Sequence, residues 1–149
     1  MPRPHRVQVP GTYHVTARGN RGERIYFDDD RRFFLALRDR VARKLDWHVR
    51  EHCLLSNHFH LLIETRAANL SEGMCRLNHQ YAIYFNARHD FQGHLFQKRF
   101  WSRLVETEGQ LAETIAYIAF NPVKAGLSST PWGWPWSSFY EADRSFALR

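Results

Sequence analysis

Cysteine is scarce in this 149-residue chain: Cys53 and Cys75 are the only two, and they form no Cys-x-x-Cys pair. A four-thiolate metal site is therefore excluded, and both thiols are expected to be small buried hydrophobes in a reducing compartment. Long apolar runs are missing too, and none approaches the ~18 residues of a membrane span. The start, Met1-Pro2-Arg3-Pro4-His5-Arg6, is basic and lacks the apolar stretch of a secretion signal. A cytoplasmic location with no membrane partner is the expectation. There is no repeat, low-complexity block or long linker. Negative charge is in deficit, with 15 Asp and Glu against 21 Lys and Arg, for a formal charge of +6. Such an excess favours a polyanionic partner, and with no membrane-binding feature that partner is nucleic acid.

Apolar residues make up 44% and charged residues 24%, enough apolar side chain to offset chain entropy and argue against disorder. Half this length would struggle to bury a core, so residues 1–149 are expected to form one domain, with an irregular Trp-rich tail from about residue 128. Aromatics reach 15%, enough to fill a core and still leave rings to stack on unpaired bases.

Along the chain, short strands alternate with helices. Residues 12–18 are rich in β-formers, and Gly19-Asn20-Arg21-Gly22 makes a turn. Asp28, Asp29 and Asp30 offer N-caps for a helix over about 30–45, whose buried stripe is Phe33, Phe34, Leu37, Val41 and Leu45. Residues 47–55 and 58–65 read as a hairpin, and Leu70 to about Ala87 as a second helix. Part of 95–105 is a strand. Thr107 and Gln110 form a capping box for a last helix, which Pro122 is expected to end near Phe120 or Asn121. The order β-α-β-β-α-β-α predicts an α+β fold: a ferredoxin-like antiparallel sheet with helices packed on one face.

The sharpest chemical feature is His58-Phe59-His60. On a strand, alternate residues share a face, so the two imidazoles point together while Phe59, Leu61 and Ile63 point the other way. Such a pair can grip one divalent metal ion, and with phosphate as substrate Mg or Mn is favoured. A third ligand is needed. The last helix offers two candidates, Asn121 and Glu113, each four residues from Tyr117 on the same face. A metal there polarises a phosphate oxygen, and the Tyr117 hydroxyl one turn away can attack the phosphorus. A phenol ionises near pH ~10, so it needs neighbouring positive charge. Tyr81 and Tyr84 are spaced for packing, and His79, His89 and His94 for solvent.

Basic residues collect in two places: Arg18, Asn20, Arg21 and Arg24 at the first turn, and Lys98, Arg99 and Arg103 among Phe96, Phe100 and Trp101. Cations there neutralise phosphates and the rings stack on bases. Lys124, just past the helix end, can also reach a phosphate.

Three stretches occur in this order: residues 17–22 (Ala-Arg-Gly-Asn-Arg-Gly), His58-Phe59-His60, and Tyr117-Ile118-Ala119-Phe120-Asn121-Pro122-Val123-Lys124-Ala125-Gly126. With residues 93–100 they resemble the single-tyrosine HUH transposases, and within them the REP-associated tyrosine transposases of bacteria, over roughly residues 5–140. The resemblance implies that His58 and His60 bind a divalent metal, with Asn121 as third ligand where related insertion-sequence enzymes carry Gln. It implies that Tyr117 cleaves single-stranded DNA at hairpins, keeping a 5′-phosphotyrosine link and freeing a 3′-OH. It leaves the chain as monomer or homodimer. Two other classes compete: a non-catalytic module that kept the fold to hold structured nucleic acid, and a metal-dependent hydrolase that uses activated water.

Overall fold

A computed structural model describes residues 8–141; the basic segment Met1–Arg6, like residues 142–149, lies outside that range. Strands β1 (Gly11–Arg18), β2 (His48–Leu54), β3 (His58–Thr65) and β4 (Trp101–Val105) alternate with helices α1 (Asp28–Leu45), α2 (Leu70–His89) and α3 (Glu108–Lys124). The sheet order is β2-β3-β1-β4, with every neighbouring pair antiparallel. This is the expected α+β, ferredoxin-like arrangement.

Side-chain alternation divides the sheet. Tyr13, Val15 and Ala17 of β1 and Phe59, Leu61 and Ile63 of β3 form one apolar face. Against it pack Phe34, Leu37 and Val41 of α1 and Leu70, Met74, Leu77 and Tyr81 of α2, all in a single buried cluster. The opposite face carries Leu62, which joins Cys53, Leu55 and Ile118 in a second cluster, flanked by Leu111 and Ile115. The one-face expectation therefore holds for α1 and α2 but not for α3. Leu111, Ile115 and Ile118 give α3 its own apolar stripe, and only the far side of the sheet has an apolar patch left to cover.

Helix ends show two further departures. Phe27, not an aspartate, is the N-cap of α1; the Asp30 carboxylate reaches back to accept the Phe27 N–H at 2.9 Å. Pro122 lies inside α3 rather than beyond it. Proline removes one N–H donor, yet a final turn still closes: the Leu127 N–H donates to Pro122 O and the Gly126 N–H to Val123 O. Gly126, at φ +75°, takes the left-handed conformation that ends the helix. The Thr107 cap is as expected, its hydroxyl accepting from the Gln110 N–H at 3.1 Å.

Two side chains also sit differently from expectation. Cys53 is buried but Cys75 is exposed, because it falls beside the Met74–Leu77 stripe of α2 rather than on it. His89 is not solvated: its Nε2 lies 2.9 Å from the buried Asp30 carboxylate. Tyr81 is wholly buried, its hydroxyl donating to Ile25 O, while Tyr84 stacks on Phe33 at 3.7 Å. Both tyrosines pack, as their spacing predicts.

The tail closes the β2 edge. The Leu54 N–H donates to Trp136 O, the Ser138 N–H to His52 O, and the Trp134 indole N–H to Leu54 O. The buried Arg31 guanidinium lies 5.2 Å from the Trp134 ring and 5.7 Å from that of Trp136, so cation–π attraction adds to these bonds.

α2 meets the α1–β2 connection through a glycine. A Cβ on Gly73 would stand 2.1 Å from the Trp47 ring, whose indole N–H is tied to Asn69. Gly73→Ala is expected to destabilise the fold by about 2 kcal/mol through overpacking. The urea midpoint against wild type measures this.

Candidate active site

The antiparallel register sets the site. Thr16 pairs with His60 and Arg18 with His58, so Arg18 and both histidines of the motif stand on the α3 face. The rings of His58 and His60 are 5.1 Å apart and nearly perpendicular. Tyr117, 47% exposed on α3, presents its ring edge-on to His60 at 5.4 Å between centroids. Asn121, one turn later, is buried with its amide beside His58. Glu113 is exposed, and no three His, Cys, Asp or Glu side chains group to hold an ion among the described residues. Of the two candidate third ligands, Asn121 is therefore the one beside the histidines.

A cleft of about 280 Å³ opens over this cluster. Its walls include His58, His60 and Tyr117 together with Arg18, Lys98 and Arg99. Residues 95–97 follow the end of β1: Leu95 O accepts the Asn20 N–H and the Gln97 N–H donates to Arg18 O. That pairing delivers Lys98 and Arg99 to the cleft. Lys124 approaches from α3, its Nζ 5.8 Å from the Tyr117 ring centroid. Arg103 is exposed on β4 opposite His14. Asn20 and Arg21 do not line the cleft. Arg24 donates to Tyr26 O and covers the Phe27 ring at 4.3 Å, although it also borders a hollow beyond His58 and Arg18.

One functional neighbour escaped the sequence. His14 of β1 lies against the site, with its Nε2 2.9 Å from His60 Nδ1 and its ring 5.7 Å from that of Tyr117. The available signal was parity, since His14, Thr16 and Arg18 share one face of β1.

The imidazoles are held neutral. Burial first, and then the charge of Arg18, pulls His58 from 6.5 to about 4. Burial, with His14, His58 and Arg18 behind it, takes His60 to about 2. Burial and Arg103 bring His14 to about 4. Away from the site, burial and Arg38 bring His52 to about 4. Neutral rings keep lone pairs for a cation. His60 Nε2 is buried without a partner, an orphan that a metal ion would satisfy. Two imidazoles and one amide are donors that would suit a divalent ion.

Stability follows from these shifts. Below pH 6.5 the unfolded chain takes up protons on these histidines while the fold excludes them, so stability is full above that pH and falls as pH drops toward 4. The urea midpoint is expected to be clearly lower at pH 5 than at pH 7.5, and His52→Gln to reduce the difference.

Known proteins resemble this chain in sequence and in fold. Residues 8–121 match the model of the family described as transposase, IS200-like. A Haemophilus influenzae protein provisionally named a REP-associated tyrosine transposase is 31% identical over 99 residues, covering 59% of this chain and 56% of that relative. The match thus spans little more than half of the relative's length. The solved structure of a REP-associated tyrosine transposase bound to a REP hairpin superposes with a TM-score of 0.78 at 21% identity, covering 100% of this chain and 88% of that one. A crystal structure from Deinococcus radiodurans, provisionally named a transposase, gives 0.55 at 14% identity, covering 79% and 95%. These two likenesses are of fold. With the family model spanning most of the chain, the protein belongs to the IS200-like transposase family.

Proposed function

We propose that this chain cuts and rejoins single-stranded DNA at hairpins, with Tyr117 as covalent nucleophile and a divalent ion, Mg or Mn, held by His58, His60 and Asn121. The observation that carries the proposal is the position of Tyr117, exposed and edge-on to His60 in a cleft rimmed by Arg18, Lys98 and Arg99. His58, His60 and Tyr117 of a single chain line the same cleft, which supports a site built within one copy. That a relative of this fold was solved on a REP hairpin supports a hairpin as substrate.

The rim cations bind the phosphates on either side of the scissile bond. Tyr117 Oη loses its proton to solvent and attacks phosphorus. An O–P bond forms to the tyrosine as the P–O3′ bond breaks, and the departing oxygen takes up a proton as the free 3′-OH. The strand's 5′ end stays linked as a phosphotyrosine. When bound, the metal supplies Lewis-acid polarisation of a phosphate oxygen and offsets charge in the transition state. Joining is the reverse: a 3′-OH attacks the phosphotyrosine and releases the phenol, so no nucleotide cofactor is consumed. Neutral imidazoles at half-buried His58 and buried His60 keep the histidine side of the cleft free of competing protonation.

Tyr117→Phe is expected to abolish the protein–DNA adduct on denaturing gels and slow nicking by roughly a thousand-fold or more, with hairpin binding within about twofold of wild type. An adduct persisting in that variant overturns the assignment. Nicking without any adduct points to activated water, and wild-type binding without nicking in Mg or Mn to a binding module.

EDTA is expected to stop nicking, and added Mn or Mg to restore it. Asn121→Ala should raise the metal concentration needed by about tenfold. Unchanged nicking in EDTA removes the metal from the proposal.

A further inference from the structure

His58 and His60 are each anchored through Nδ1. The partner of His58 is the Asn57 side-chain oxygen at 2.8 Å, an atom that can only accept, so His58 carries its proton on Nδ1. The partner of His60 is another imidazole, the Nε2 of His14 at 2.9 Å, buried between β1 and β3. Between two neutral rings a single proton can lie on either nitrogen, and its side decides the state of His60 Nε2. If His14 donates, His60 must carry its own proton on Nε2. A buried N–H without an acceptor then faces the cleft, and no lone pair remains for a cation. If His60 donates, Nε2 is a bare lone pair, and His14 carries its proton on Nδ1.

We propose that His14 is a positioning residue that accepts the His60 Nδ1 proton, so fixing the tautomer in which His60 Nε2 presents its lone pair to the cleft. The inference rests on the metal reading given above for what that lone pair serves. Three observations support it. His60 Nε2 is buried with no partner, so the accepting role of His14 is the one that leaves an atom a cation can satisfy. The arrangement repeats the Nδ1 anchoring of His58, giving both histidines of the motif the same outward nitrogen. His14 is itself confined: it is buried, its ring meets Trp101 edge-on at 5.2 Å, and Tyr117 stands 5.7 Å away. A ring that cannot swing holds its neighbour in place.

The test begins on the metal-free full chain. Two-bond ¹H–¹⁵N spectra at pH 7.5, assigned with His14→Gln and His60→Gln, are expected to show a pyrrole-type Nδ1 and a pyridine-type Nε2 for His60. A pyrrole-type Nε2 overturns the proposal. His14→Phe, which fills the space without an acceptor, is expected to give mixed His60 tautomers and weaken Mn²⁺ binding by calorimetry ten- to a hundred-fold. His14→Gln, whose side-chain oxygen can take the same proton, should restore affinity to within a few-fold. Circular dichroism and urea midpoints check that both variants fold. A folded His14→Phe protein with wild-type tautomer and Mn²⁺ affinity overturns the proposal. If wild-type protein binds no Mn²⁺, the metal reading of the site fails, while the spectra still decide the role of His14.

Discussion

The antiparallel pairing of β1 with β3 is the constraint on which the molecule depends. With Thr16 opposite His60, every odd residue from Tyr13 to Ala17 shares a face with Phe59, Leu61 and Ile63, and every even one with His58, His60 and Leu62. A slip of one residue would turn the histidines under α1 and α2 and expose the apolar set to solvent. The main core therefore holds the site in register: burying Val15, Phe59 and Leu61 is what forces the imidazoles outward to the α3 side.

α3 completes that face in two halves. Its first turns press Leu111, Ile115 and Ile118 onto Leu62 and Cys53 and close a small second core. Tyr117 and Asn121 then fall on the side turned to the histidines, one exposed and one buried. Gly126 settles where the helix stops, and with it where Lys124 stands over the tyrosine ring. The tail adds a separate brace, pairing with the β2 edge and packing two tryptophans around Arg31, and an otherwise open sheet edge is thereby covered.

Charge is distributed in keeping with this division. The imidazoles lie in the dry part of the site and remain neutral, while Arg18, Lys98 and Arg99 surround it where water and a phosphate backbone can reach them. Arg18 belongs to both zones. It lines the cleft, and its charge also helps keep protons off His58 and His60.

Much of this was legible in the residue pattern, because strand and helix periods are local. Alternation over residues 58–65, the i, i+4 spacing of Glu113, Tyr117 and Asn121, and the Thr107 cap gave element types, one helix start and the pairing of two imidazoles with one phenol. Composition gave a basic chain suited to nucleic acid, and the order of elements gave a single-sheet α+β fold. What stayed hidden depends on contacts between distant segments. Which face α3 covers, why Pro122 sits within a helix, whether Asn121 or Glu113 meets His58, and that His14 bonds His60 across 46 positions are set by packing and register, which no local window contains. The amino-acid order thus determined which side chains could act together, and only the folded sheet, by choosing one side for burial, decided which of them touch.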